Sequence, residues 1–269
     1  MTTASDTADL ANTLPAKRPP PAYLFALGRK QLPTELIADG RSYRFIELFK
    51  HDFFAATGLY EQTSDGPGKG HLAVLKVQRT HHWWGVPMKW LGRIVANREI
   101  AIYQRLQGIP GIPDFLGRVG PTGFLHAFIP GVDLHAELPL TPAFFDELKA
   151  LFQALHDRRV AYVDANKREN ILYGDDRRPW LIDFQISYHN RWQSPLNIVG
   201  RWWFRRFERA DWYHFYKHKT RLLPAACSEE DFLRARDRSV LHRMHRFLSR
   251  PFIRVRRRIL ARYALEKSR

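Results

Sequence analysis

Three oxygen-bearing side chains, Asp164, Asn170 and Asp183, flank two short apolar runs within the stretch Tyr162 to Ser187. The runs, Ile171-Leu172-Tyr173 and Trp180-Leu181-Ile182, are separated by a cluster opening with Gly174-Asp175-Asp176, the composition of a hairpin turn. A hairpin returns the chain to its start, so Asp164 and Asn170 are expected to meet Asp183. Hard oxygen ligands suit Mg²⁺, and a nearby carboxylate suits acceptance of a proton from a hydroxyl group. The plainer reading is an ordinary acidic hairpin, because Asp and Asn are common turn formers. The surrounding elements decide between the two.

Upstream, Phe144, Leu148, Leu151, Phe152 and Leu155 recur at helical spacing after Thr141-Pro142, predicting a helix that ends near His156 to Arg159 and feeds Asp164. Further back, the segments around Phe45 to Phe49, Phe53 to Glu61 and Leu72 to Val77 read as three antiparallel strands. The last ends in Ala73-Val74-Leu75-Lys76. A second helix is predicted over Asn97 to Leu106, stopping at Gly108, and it carries Glu99. Short strands follow around Gly117 to Gly123 and Phe124 to Ile129. Between the Lys76 strand and the Glu99 helix, His81 to Arg93 mixes aromatic and basic residues, as an interface or a packed insertion does.

This order resembles the protein-kinase-like fold, in which a catalytic loop H-R-D-L-x-x-x-N leads through a hairpin to D-F-G. The matching residues are Asp164, Lys167, Asn170 and the pair Asp183-Phe184, while Ala73 to Lys76 resembles the V-A-I-K strand. In character the chain is most similar to compact bacterial lipopolysaccharide-core kinases and RIO-type atypical kinases. The resemblance implies an α+β, bilobal fold: an N-lobe antiparallel sheet with one helix and a mainly helical C-lobe. It also implies ATP and Mg²⁺ as cofactors. Lys76 would orient the phosphates, Glu99 would hold Lys76, and Asn170 and Asp183 would bind the metal. Asp164 would take the acceptor proton, and Lys167 would neutralise charge on the phosphoryl group in transit. The chain departs from the pattern in three places: Asn170 follows Asp164 by six residues rather than five, Gln185 stands for the Gly of D-F-G, and the turn His51 to Tyr60 offers only Gly58. Only 86 residues follow Asp183, without an A-P-E sequence. Asp211-Trp212 is a candidate for a carboxylate that braces the catalytic loop from a later helix; an exposed Asp is the plainer reading.

Composition sets the partners. The net charge of +16 is uneven: from Arg191 onward 21 Lys and Arg face 7 Asp and Glu, whereas residues 1 to 190 are near neutral. A localised surplus points to a phosphate-rich partner. The runs Arg201 to Phe207 and Trp212 to Lys219 mix aromatics with cations, and Phe252, Val255, Ile259 and Tyr263 lie on one face of a basic helix, as suits an anionic membrane surface. No nucleic-acid-binding motif accompanies these cations, so nucleic acid ranks last among the partners. Cys227 stands alone, which excludes an internal disulfide framework and agrees with a cytoplasmic setting, while the basic C-terminal region points to a peripheral place on the inner membrane face. The organisation read from these patterns is a disordered leader and docking segment over 1–40, an N-lobe over 41–130, a compact C-lobe over 131–237 and basic amphipathic helices over 238–269. The functional expectation is phosphoryl transfer to a hydroxyl of a glycolipid or lipopolysaccharide-type acceptor. An atypical Ser/Thr protein kinase and a nucleotide-binding pseudokinase scaffold are the alternatives.

Overall fold

The computed structural model describes residues 20–66, 68–83, 85–191, 194 and 197–236. The amphipathic helices expected over 238–269 and the first nineteen residues of the leader lie outside the described residues.

The first lobe is built on a six-stranded antiparallel sheet of order β1-β2-β3-β4-β6-β5. Its strands are β1 (Glu35–Ala38), β2 (Arg41–His51), β3 (Ala55–Gln62), β4 (Leu72–Gln78), β5 (Phe115–Val119) and β6 (Gly123–Ala127). Lys76 sits on β4, which pairs with Thr57 of β3 on one side and Phe124 of β6 on the other. Ladders on both edges leave that strand little freedom, so the Lys76 backbone is held in place. Helix α1 (Lys89–Leu106) packs Ala96, Glu99, Ile100 and Tyr103 inward.

Two boundaries differ from the sequence reading. Strand β1 falls within the segment read as leader and docking segment; only Ala38 is buried while Ile37 faces solvent, too short an alternation to register. Helix α1 starts at Lys89 rather than Asn97. Its first turns expose Trp90, Leu91 and Ile94, so no buried apolar stripe announces them. Gly92 is required there, because a Cβ would lie 2.1 Å from the Arg79 carbonyl oxygen.

The second lobe begins with β7 (Gly131–Asp133) and helix α2 (Pro142–Asp157), where Thr141 caps the N-terminus by accepting from the Phe144 N–H. Strand β8 (Val160–Ala161) leads into the loop at Asp164, and β9 (Ile171–Gly174) pairs antiparallel with β10 (Pro179–Leu181), the expected hairpin. Strand β11 (Tyr188–His189) returns to β8. Helices α3 (Ile198–Leu222) and α4 (Glu229–Arg236) follow. The core joins Phe145, Leu148, Phe152 and Leu155 of α2 to Tyr162, Phe184 and Phe215, and reaches Tyr103 and Leu106 of α1 in the first lobe. Each such side chain contributes about 1.5–3 kcal/mol on burial. One apolar cluster therefore connects the Glu99 helix to the Asp164 loop. Among the described residues no helix is long and apolar enough to cross a membrane.

Candidate active site

Lys76 Nζ donates to Glu99 Oε1 at 2.7 Å and to Asp183 Oδ1 at 2.8 Å, tying β4, α1 and the segment after β10 to one ammonium group. Gln78, two residues along β4, donates from Nε2 to the other Glu99 oxygen at 2.8 Å. Glu99 is fully buried. Burial disfavours both ions, yet Glu99 and Asp183 raise the Lys76 pKa and keep it charged. Burial would also raise Asp183, but Lys76 and then Lys167 hold it down at about 2. Asp183 Oδ1 accepts both from Lys76 and, at 3.4 Å, from the Gln185 N–H, whereas Oδ2 accepts no hydrogen bond among the described residues.

The loop from Asp164 to Asn170 resolves the sixth residue. The Lys167 N–H donates to the Asp164 carbonyl and the Asn170 N–H to the Lys167 carbonyl, two successive turns of three residues. Lys167 itself is extended between the turns, and together they bring the Lys167 and Asn170 side chains back to Asp164. Lys167 Nζ and Asn170 Nδ2 both donate to Asp164 Oδ2, at 2.6 and 2.9 Å. Asp164 Oδ1 is left for another partner. The Asn170 amide, oriented by that bond, keeps Oδ1 available as an oxygen ligand. Burial raises the Asp164 pKa, and Lys167 opposes the rise.

The brace beneath this loop was weighed from sequence only as one reading of Asp211; the structure makes it the anchor. Asp211 is fully buried. Its Oδ2 accepts from the Tyr162 N–H at 2.7 Å and from His156 Nε2 at 3.1 Å, and its Oδ1 accepts from the Val163 N–H at 2.8 Å. Val163 has φ +69°, a strained conformation for a β-branched residue. Pairing two successive N–H groups to one carboxylate compensates that strain. Two helical turns on, His218 reaches the Ala165 carbonyl at 2.7 Å. Tyr162 adds a further tie, its hydroxyl donating towards the carbonyls of Asn170 and Ile182.

Phe184 is wedged between Tyr103 of α1 and Tyr162, with ring centroids 5.0 and 5.3 Å away. Arg98 of α1 donates to the Ser187 carbonyl at 2.7 Å, and Ser187 Oγ donates to the Tyr162 carbonyl. The chain after Asp183 is thus held by α1, by Tyr162 at the start of the Asp164 loop and by the β8–β11 ladder. The positive φ in this segment belongs to Asp183 at +61°, not to Gln185. A glycine at 185 is not needed for the observed path.

The turn expected to cover phosphates is a three-residue tip, Asp52 to Phe54, between β2 and β3. Asp52 Oδ1 already accepts from the Phe54 and Ala55 N–H groups. Arg79 donates to the Phe53 carbonyl at 2.8 Å and lies over the Phe53 ring. This tip is pinned rather than glycine-rich, and those two amides are already bonded to Asp52.

The donors fit Mg²⁺ better than a metal held by protein alone. Among the described residues no three His, Cys, Asp or Glu side chains cluster for a metal. Asn170 Oδ1 and Asp183 Oδ2 supply two hard oxygens, and Mg²⁺ commonly completes its shell with phosphates and water. Sequence reasoning missed Gln78, Tyr162 and Arg98. Only the two-residue spacing from Lys76, which in a strand puts Gln78 on the same face, could have marked one of them.

The chain has the architecture of the protein-kinase-like fold: an antiparallel N-lobe sheet with one helix, a helical C-lobe, and a buried Lys–Glu pair facing an Asp-Phe segment. No family model matches the chain, and no curated protein matches it. Among solved structures, the Rio2 kinase from Chaetomium thermophilum is similar at 15% identity and a TM-score of 0.47, over 66% of this chain and 58% of that one. The ADP/Mg²⁺-phosphoaspartate complex of the Rio2 kinase from the same organism is similar at 17% identity and a TM-score of 0.47, over 69% of this chain and 58% of that one. The chain therefore spans less than two thirds of the length of these similar structures.

Proposed function

We propose that this chain is an ATP- and Mg²⁺-dependent phosphotransferase that phosphorylates a hydroxyl group of a glycolipid or lipopolysaccharide-type acceptor at the inner membrane surface. The observation that carries the phosphotransfer reading is Lys76 held between Glu99 and Asp183 on three separate elements. Such a cation, buried yet charged, is oriented to meet nucleotide phosphates, and Glu99 with Gln78 keeps it from collapsing onto another partner. Mg²⁺ would be held by Asn170 and Asp183 and would neutralise phosphate charge. Asp164 presents Oδ1 to the acceptor hydroxyl and takes its proton. Lys167, bonded to Asp164 and facing Asp183, places positive charge between the two carboxylates where the phosphoryl group passes. With the Phe54 and Ala55 amides committed to Asp52, phosphate binding rests on Lys76 and the metal.

The acceptor class is supported by the basic and aromatic surface beyond Asp183. An atypical Ser/Thr protein kinase would use the same centre.

The test is ATP turnover and phosphate transfer to a cell-envelope lipid extract, with products identified by mass spectrometry. Wild type is expected to phosphorylate a glycolipid, and Asp164→Asn and Asp183→Asn are expected not to. Equal background rates in all three would make the chain a nucleotide-binding scaffold. Phosphate appearing on added protein alone would replace the acceptor class.

A further inference from the structure

Helix α3 has two unlike halves. From Asp211 to His218 it is built into the core and carries the brace under the catalytic loop. From Ile198 to Ala210 it contains no buried residue, and this half extends about 20 Å beyond the brace. Its outward side chains are apolar as well as cationic: Ile198 is 66%, Val199 70% and Trp202 53% exposed, and Arg205 and Arg209 are exposed beside them. At 100° per residue Ile198, Trp202, Arg205 and Arg209 fall on one side of the helix. Trp202 and Trp203 stand edge to face, Trp203 stacks on Phe207, and Phe207 contacts Tyr188. This aromatic row runs back to the segment that begins at Asp183, where Ile186 is also exposed.

Resting on the phosphotransfer reading for its purpose, we infer that this half of α3 docks on the surface of an anionic phospholipid bilayer and brings the acceptor side of the cleft to lipid headgroups. Charge selects the occupant. Among the described residues Arg205, Arg206 and Arg209 make no ion pair. The single carboxylate of this half, Glu208, approaches His156 on the inner side at 3.9 Å. The acidic residues of α4 lie by the opposite end of α3, where Asp231 pairs with Lys219. Residues 237–269 carry eleven Lys and Arg against two acidic residues, so the chain's own tail is of the same sign and does not complement the face. An anionic bilayer matches both properties: phosphates meet the arginines, while Ile198, Val199 and Trp202 enter the headgroup and acyl boundary. Exposed aliphatic groups favour lipid over nucleic acid, which would use the aromatics and cations but not Ile198 and Val199.

The test is flotation of the full chain with phosphatidylcholine vesicles, with and without phosphatidylglycerol. Wild type is expected to float only with the anionic vesicles. Ile198→Glu and Trp202→Glu are expected to stay in solution, Trp202→Phe to float like wild type, and Arg205→Glu to weaken partition at least about five-fold, the worth of one cation at such a surface. An unchanged melting temperature in each variant separates lost docking from lost folding. Flotation of Ile198→Glu and Trp202→Glu at the wild-type level would overturn the inference, leaving non-specific attraction of the basic tail. So would loss of single-stranded RNA binding in these variants with vesicle binding intact. ATP turnover in solution distinguishes the two readings: a wild type that floats but never turns over ATP fails only the phosphotransfer reading, whereas turnover with undiminished flotation of the variants fails only the docking inference.

Discussion

The site contains two ammonium–carboxylate arrangements that differ in their surroundings. Lys76 and Glu99 are shut away from solvent, with side chains 9% and 0% exposed, and every oxygen of Glu99 has a donor. Lys167 and Asp164 lie at the mouth, with Lys167 47% exposed and one Asp164 oxygen left open. A closed pair in low dielectric is costly to break and holds a single geometry. An open pair is screened by water, contributes little to stability, and can exchange its partner during a reaction. On the proposed phosphotransfer, the difference separates tasks: the first arrangement would position, and the second would react.

Four measurements would break or sharpen this contrast. Asp164→Asn is expected to lower phosphotransfer about 10²–10⁴-fold, the worth of a positioned base, with little change in denaturant midpoint; near-normal turnover would place the reactive group elsewhere. Glu99→Ala leaves Lys76 facing an emptied buried site and is expected to destabilise the fold by about 3–5 kcal/mol in urea unfolding. Asp211→Ala removes the acceptor of the buried Tyr162 N–H, at about 1–3 kcal/mol if left unsatisfied, and of the part-buried Val163 N–H, and lets the strained Val163 relax. Its activity loss should exceed its stability loss, because the Asp164 loop moves. Lys167→Met is expected to change stability by less than about 1 kcal/mol.

Lys167→Met also carries the sharpest pH expectation. Burial raises the Asp164 pKa and Lys167 lowers it, so the activity that needs ionised Asp164 rises with pH through a limb above the usual carboxylate range. Removing Lys167 should move that limb to higher pH. A limb that stays in place would mean that the two groups do not interact during turnover.

Much of the site was legible in advance because its residues lie on elements with strong local patterns. The period of α2, the hairpin of β9 and β10, and the order Lys76, Glu99, Asp164, Asn170, Asp183 all follow from short-range sequence signals. Along the chain the spacing of six between Asp164 and Asn170 departs from the family's five. In space two successive turns bring Lys167 and Asn170 back to the same Asp164 oxygen. Strand β1 and the first turns of α1 were missed because they bury too little for periodicity to show.

The amino-acid sequence by itself determined which side chains can react and in what order they occur, since residue type and local period are properties of neighbouring residues. Tertiary structure alone decided which polar groups are paired out of water. Lys76 meets Asp183 from 107 residues away, Gln78 meets Glu99, and Asp211 meets Tyr162 and Val163. It also decided that one half of α3 is core and the other exposed, although each half carries four Phe, Tyr or Trp residues. These outcomes depend on where desolvation falls once the lobes pack, and no local spacing records that.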